Sequence, residues 1–496
     1  MTGNVEKVTT PRRGWFVQLT QQPRPYFALD GGSGAHLFAA LSQQSPHARQ
    51  VYTPRHADLL VIAEPVSQKL VPALQETART LARPARVLLI GAPEGRRDHF
   101  SGLDIAAIEN LFPDAHRVAA ITAQAVLEAV LNAEQWPKLL LPQQAEPEPI
   151  LIQIPHRQEQ EIATELVVLS LGPLQPLTAG PLRLFLICDG EQVLSAQVEA
   201  GYAHRGIAAA MQQTDWQHAL VLARHLDPLA PVASQLAYVQ AIEYLQHWQP
   251  PEPVANLREA AVAFERAQNH LWWLLRFAQL LADTSLTDRA YDLASTLAEH
   301  VASLWRQSPS QWISPQQMIA TSIVNDISAS TLRQIASRLD ALKSAVARNR
   351  LLALRTRDIG TLATVRLKEA GVSGPVLQAS EQGAGDVQAR LLVRLEAASL
   401  DVQSASEMLE SKERTMAHAA NWNVPTGEAH ATVEGPRGTI GIHIASSGGE
   451  KPVNVQWQRP SAMLLPLLPE ILGGQLLADA EVIVASLGLA MAEADG

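Results

Sequence analysis

Cysteine is nearly absent from this sequence: 496 residues include one, Cys188. A single thiol excludes an internal disulfide framework. It also excludes an iron–sulfur cluster held by four thiolates of this chain and an all-cysteine zinc site. Positive charge is in deficit, with 39 Lys and Arg against 49 Asp and Glu and a formal net charge of −10. That balance argues against nucleic acid as a partner, because a phosphate backbone requires a basic face. Long apolar runs are lacking as well. Ala462–Leu468 and Val482–Ala492 fall well short of the ~20 residues that span a bilayer, so no direct membrane span is expected. The N-terminal stretch MTGNVEKVTTPRRGWF has no apolar core of the signal-peptide kind. A cytoplasmic location follows as the expectation, with any attachment to a membrane made through a partner.

What is present supports a folded chain of some size. Hydrophobic residues make up 47% and charged residues 18%, a balance that builds cores. At about 150 residues per domain the length corresponds to roughly three domains' worth of sequence. Over residues 1–140 strands and helices alternate. Tyr26–Leu29 leads into the Gly31-Gly32-Ser33-Gly34 turn and a helical stretch from Ala35 to Ser42. Asp58–Ala63 and Arg86–Ile90 are continuous apolar runs, the pattern of strands buried on both faces, with helical spacing over Leu70–Leu81 between them. The order predicts an α/β domain with a parallel sheet. Residues 141–164, rich in Pro, Gln and Glu, read as a linker.

Residues 165–496 read as a mainly α-helical α+β domain. Leu182–Cys188 and Val193–Glu199 flank Asp189-Gly190-Glu191, a hairpin signal because Asp-Gly supports the positive φ of a tight turn. From Gly206 to Leu354 the pattern is helical almost throughout, with long helices expected at Arg258–Leu281 and Thr331–Leu354. Three short strands follow at Glu428–Glu434, Thr439–Ala445 and Val453–Gln458.

Taken alone, the residues with chemical potential do not assemble into a motif. The glycine turn fails the dinucleotide pattern, because Leu37 occupies the third glycine position, and no phosphate-loop lysine follows. Among 15 histidines no H-E-x-x-H pair occurs, and no G-x-S-x-G nucleophile elbow is present. Cys188 lies on an apolar strand, the setting of a buried structural thiol. Trp272-Trp273 fits a partner surface or the core equally well.

A series of longer segments narrows the reading. Gly201-Tyr202-Ala203-His204-Arg205-Gly206-Ile207 is followed by Gln217-His218-Ala219-Leu220 and by Leu236–Glu243. Further on come Asn269-His270-Leu271-Trp272, Ser373–Ser380, Gly385–Arg390 and Glu434-Gly435-Pro436-Arg437-Gly438. In that order and spacing they resemble the large subunit shared by respiratory complex I and energy-converting nickel–iron hydrogenases. Thr53–Ala63, Val66–Leu74 and Val87–Ala92 resemble the cluster-bearing small subunit. The resemblance thus implies a fusion of two subunits that pack against each other.

Where the resemblance implies cofactor ligands, this sequence departs from it. The paired-cysteine turn of the small subunit corresponds to Ser33-Gly34, the third ligand to Pro93, and the fourth to the region Ala119–Ile121. The nickel motifs correspond to Leu226-Asp227-Pro228-Leu229-Ala230 and Ala485–Ala490. The quinone-contacting tyrosine corresponds to Pro228, and the histidine-bearing loop to Gly172-Pro173-Leu174-Gln175-Pro176. The His/Asp pair implied after Arg276 is replaced by Phe277–Ala282. The expectation is therefore a chain with no iron–sulfur cluster and no nickel–iron centre. It would serve as a redox-inactive subunit on the cytoplasmic face of a membrane complex, with antiporter-like integral membrane subunits as partners. An active NAD(P)H–quinone oxidoreductase subunit and a small-molecule-binding regulatory module are the alternatives. For the latter, His204, Arg205, His270, Asp386 and Arg390, at matched positions, would line or support the cavity.

Overall fold

The computed structural model describes residues 23–32, 34–44, 48–82, 84–91, 103, 105–118, 123–139, 166–174, 177–302, 313–316, 328–409 and 420–496. The segment 141–164, expected as a linker, lies outside the described residues, as do Ser33, Pro93 and Ala119–Ile121.

An N-terminal parallel α/β region comes first. Strands β1 (Arg24–Asp30), β2 (Ala48–Gln50), β3 (Leu59–Ala63), β4 (Arg86–Ile90) and β5 (His116–Val118) form one parallel sheet in the order β2-β1-β3-β4-β5. Every residue of β3 and β4 is buried, as their unbroken apolar runs require. Alternate residues serve opposite faces. Tyr26, Leu59, Val61 and Leu88 pack against the helices Ala35–Gln44 and Ala123–Asn132. Phe27, Leu60, Ile62 and Leu89 pack against the Val71–Thr80 helix and Ile108. The chain leaves β1 toward β2 on one side and returns to β3 on the other. That reversal opens a crevice at the carboxyl ends of the strands, where α/β sheets hold ligands.

A mainly helical region with two small antiparallel sheets follows. Strands β6 (Val167–Leu171), β7 (Arg183–Asp189) and β8 (Gln192–Glu199) form the first sheet, in that order. Gly190 takes the positive φ of the β7–β8 turn, +56°. The helical body contains Pro231–Leu245, Glu252–Leu280, Thr284–His300, Ala329–Arg348 and Val387–Met408. One helix expected over Thr331–Leu354 is instead two, Ala329–Arg348 and Arg350–Thr356. Asn349 leaves helical geometry and its side chain accepts from Leu352 N at 3.1 Å. Its amide competes for the backbone as an N-cap, a preference that apolar periodicity does not register.

Strands β9 (Gly427–Gly435), β10 (Gly438–Ser446) and β11 (Pro452–Gln458) make the last sheet, ordered β11-β10-β9. Gly435 pairs with Gly438, so Pro436-Arg437 is the hairpin loop. This loop meets the Ser373-Gly374-Pro375 segment backbone to backbone. Gly374 has φ +69° and ψ −153°, and a Cβ added there would lie 2.6 Å from Gly438 Cα. Ser373 Oγ accepts from Thr439 N at 2.8 Å. Two of the matched segments are thus one packing contact, and it fixes the loop that carries Arg437.

Gly374→Ala is expected to cost about 1–3 kcal/mol from backbone strain alone, with the close approach adding to it. The thermal midpoint of the variant should fall clearly below wild type. An unchanged midpoint would show that the contact does not hold the loop.

Candidate functional site

The crevice at the carboxyl end of β1 faces the helical region. Asp30, the last residue of β1, turns its carboxylate back to accept from Gly32 N at 2.8 Å and Gly34 N at 2.7 Å. Gly32, at φ +116°, sits against Ala492, and a Cβ there would stand 2.8 Å from that of Ala492. Gly32 therefore lies close against Ala492 of the Met491–Asp495 helix.

Several polar contacts join the two regions around this crevice. The His36 ring stacks on Trp272 with centroids 5.8 Å apart. Gln279 donates to Ser42 Oγ at 2.8 Å, and Gln43 donates to Asp288 Oδ1 at 2.6 Å. Lys69 Nζ donates to Ala200 O at 2.6 Å and lies 4.4 Å from the Tyr202 ring centroid. Both tryptophans of the Trp272-Trp273 pair pack within the chain. Trp272 faces the N-terminal region, whereas Trp273 is buried and donates to Ala485 O at 2.9 Å.

Two cavities lie at this junction and share Arg276 and Leu280. The first, about 90 Å3, is bordered by Asp30, Phe38, Tyr52, Leu174, Thr178 and Arg276. The second, about 40 Å3, is bordered by His36, Asn269, His270, Arg276, Arg394 and Arg437, with Leu229, Ala485, Gly488 and Leu489 behind them. Leu229 and Ala485–Leu489 come from the two segments at which the resemblance places nickel-binding cysteines. Folding brings those segments together around the smaller cavity without a thiol. Cys188 pairs with Val167 and Val193 in the β6-β7-β8 sheet and borders neither cavity.

The donor set does not suit a nickel–iron centre. Three guanidiniums border the cavity, whereas a cationic metal calls for anionic ligands. Asp227, on the first of the two segments, is paired with Arg437. Among the described residues no group of three or more His, Cys, Asp or Glu is placed to hold a metal ion.

Arg437 organises the floor. It reaches Asp227, donates through Nε to Glu493 at 3.0 Å, and through Nη1 to Asn269 Oδ1 at 3.3 Å. Asn269 donates in turn to Leu229 O. Beyond the Asp227–Ala230 segment, Glu265 accepts from Val232 N at 2.8 Å and Ala233 N at 2.9 Å, satisfying the start of the Pro231–Leu245 helix. Burial pushes the Glu265 carboxyl up to about 8, although those two N–H donors pull it down.

The imidazoles on the cavity are held neutral. Burial, then the charges of Arg276 and Arg437, lowers His36 to about 3. Both of its ring nitrogens are shielded and meet at most the Asn269 side chain, which raises the pKa slightly against these larger effects, although the residue as a whole is partly accessible. Burial, then Arg394 and Arg266, holds His270 well below the ordinary histidine range.

Of the five residues singled out by resemblance, only His270 borders a cavity. His204 is exposed and bonds Asp495 O through Nδ1 at 2.8 Å. Arg205 is fully buried and donates to Ala492 O at 3.1 Å, with burial lowering it to about 10. Asp386 caps the Val387–Met408 helix, accepting from Ala389 N at 2.8 Å and Asp358 N at 2.9 Å. Arg390 donates to Gly360 O, Gly385 O and Ser486 Oγ at 2.7–3.0 Å. These four bind helices and turns to one another outside the two linings. The sequence pattern did not single out His36, Tyr52 or Arg394. Asn269 and Arg437 stood within its matched segments, and their positions there were the available signal.

Residues 389–496 match the family described as respiratory-chain NADH dehydrogenase, 49 Kd subunit. The chain is similar to a D-type subunit of NADH-quinone oxidoreductase from Herpetosiphon aurantiacus, 27% identical over 74% of this chain and 100% of that protein. The D-type subunit from Roseiflexus castenholzii is 28% identical over 67% of this chain and 93% of its own length. That from Methylacidiphilum infernorum is 26% identical over 67% and 92%.

The depressed His36 pKa links stability to pH. Below about 6.5 the unfolded chain takes up a proton that the folded imidazole refuses until about 3. Stability contributed by the neutral ring is therefore complete above 6.5 and lost as pH falls through that window. His36→Gln should flatten the stability profile between pH 6 and 4 by up to about 1.4 kcal/mol per pH unit. Denaturant midpoints across that range test it, and parallel profiles for variant and wild type would refute it.

Proposed function

We propose that this chain is a peripheral component of a complex I-related membrane assembly, like the D-type subunits it matches, and carries no redox centre of its own. In this reading residues 1–140 are a small-subunit-like domain, joined through 141–164 to a large-subunit-like domain over 165–496. The chain lies on the cytoplasmic face and caps, or couples to, antiporter-like integral membrane subunits that move ions or protons.

The supporting observation is what became of the positions related to cofactor ligands. Leu229, Ala485, Gly488 and Leu489 close around a cavity bordered by Arg276, Arg394 and Arg437 in place of thiolates. The matched segments Gly201–Gly206, Ser373–Pro375 and Glu434–Gly438 meanwhile make packing contacts between distant elements. Retained packing contacts beside a thiol-free cavity support a scaffold role over an electron-carrying one. No helix among the described residues is long and apolar enough to cross a membrane, so attachment would run through partner subunits. The oxidoreductase reading draws on the names of the relatives. It lacks an electron carrier in this chain, and function resides in the site, not the fold.

Purification of the tagged chain from detergent-solubilised membranes is expected to bring down antiporter-like membrane subunits, with iron and nickel substoichiometric to the chain. Stoichiometric iron or nickel, or turnover of NADH with a soluble quinone by the chain itself, would overturn the redox-silent reading. Recovery of the chain alone, without membrane subunits, would overturn the coupling role.

A further inference from the structure

Arg394 differs from the other cations around the smaller cavity. Arg437 is matched by Asp227 and Glu493, and Arg276 feels the carboxylate of Asp30. Arg394 is 3% exposed, and among the described residues no carboxylate forms an ion pair with it. Its guanidinium donates to Leu487 O at 2.8 Å and lies 4.7 Å from the Trp273 ring centroid, while Nε makes no hydrogen bond.

The chain makes room for this charge. Gly488 takes φ +68°, and a Cβ there would stand 2.7 Å from an Arg394 Nη. A side chain at that position would displace the guanidinium from its place against the backbone. Across the cavity His270 is 3% exposed, and its Nδ1 has no hydrogen-bond partner. The ring nitrogens of His36 are buried and meet at most the Asn269 side chain. A neutral imidazole carries one N–H donor and one acceptor, so the lining offers guanidiniums, up to two imidazole donors and no carboxylate.

An unpaired buried charge costs several kcal/mol even after relaxation, and a guanidinium does not escape the cost by releasing its proton. A carbonyl and an aromatic face offset part of that cost. A negative charge beside Arg394 would offset the rest. We propose that the cavity between His36, His270 and Arg394 is a binding site for a small monovalent anion, a halide or a short carboxylate. The space, about 40 Å3, holds roughly three water-sized groups, which admits bromide or acetate and excludes citrate. This site is independent of the membrane role proposed above, since it is measured on the purified chain without partners.

The test uses the full chain in a gluconate buffer at constant ionic strength, titrated with bromide, acetate or citrate and followed by thermal melting. Bromide and acetate should give a saturable rise in Tm, as ligands that bind only the folded state do, and citrate should give none. Arg394→Gln is expected to weaken the apparent bromide affinity at least about tenfold, the loss of a charge-assisted hydrogen bond. The surface variant Arg366→Gln should leave that affinity unchanged. Equal effects of all three anions, or an Arg394→Gln response matching wild type, would overturn the proposal. Should Arg394→Gln fail to fold, bromine anomalous diffraction from wild-type crystals decides the matter. A peak beside the Arg394 guanidinium supports the site, and peaks confined to the surface refute it.

Discussion

Burying a guanidinium is costly unless acceptors meet its five N–H groups, and the centre of this structure is arranged around that demand at Arg437. Its partners are Asp227, Glu493 and Asn269, drawn from a loop, the chain's final helix and the long Glu252–Leu280 helix. Glu493 also accepts from Ser461, which brings in the Pro460–Leu464 helix. Removing one partner of such a group leaves a buried charge unmatched, so the positions of these five segments are set together. The hairpin loop that presents Arg437 is held by the glycine contact with Gly374.

The same economy of buried charge recurs through the helical region. Arg258 and Glu243 form a two-pronged pair at 2.9 and 3.0 Å with both side chains about 3% exposed. Arg266 is paired with Asp401. Asp495 accepts from Gly201 N and Ala203 N at 2.9 and 2.8 Å, tying the final helix to the Gly201–Gly206 segment. Against this background the cationic lining of the smaller cavity stands out. Three guanidiniums border it and no carboxylate does, those of Asp227 and Glu493 being turned to Arg437 and that of Asp30 bordering the neighbouring cavity. Guanidiniums and imidazoles border the smaller space.

Much of the fold was legible from local pattern. The continuous apolar runs at β3 and β4 marked strands buried on both faces, and the Asp189-Gly190 pair marked the β7–β8 turn. The Glu252–Leu280 helix was legible in its core, although Pro251 and Glu252 begin it earlier than apolar spacing indicated. The break at Asn349 was not legible, because an N-cap depends on one amide side chain and leaves the apolar period intact. At the site, matched segments pointed to His204, Arg205, Asp386 and Arg390, which hold the scaffold together outside the cavities. Similar short segments mark whatever must keep its place in a fold, and packing residues meet that description as fully as lining residues do.

The sequence by itself determined that this chain cannot bind a four-thiolate cofactor, because the count of cysteines is independent of folding. It also determined the alternation of strands and helices, since apolar periodicity is local. Tertiary structure alone decided which residues face one another across the junction: His36 from the first forty residues, His270 and Arg394 from two separate helices, and Gly488 from near the end. Their separations in sequence carry no periodic signal, and their proximity arises only once the sheet and the helical region pack together. The unmatched charge of Arg394 is a property of that arrangement, since a counterion is present or absent only in three dimensions.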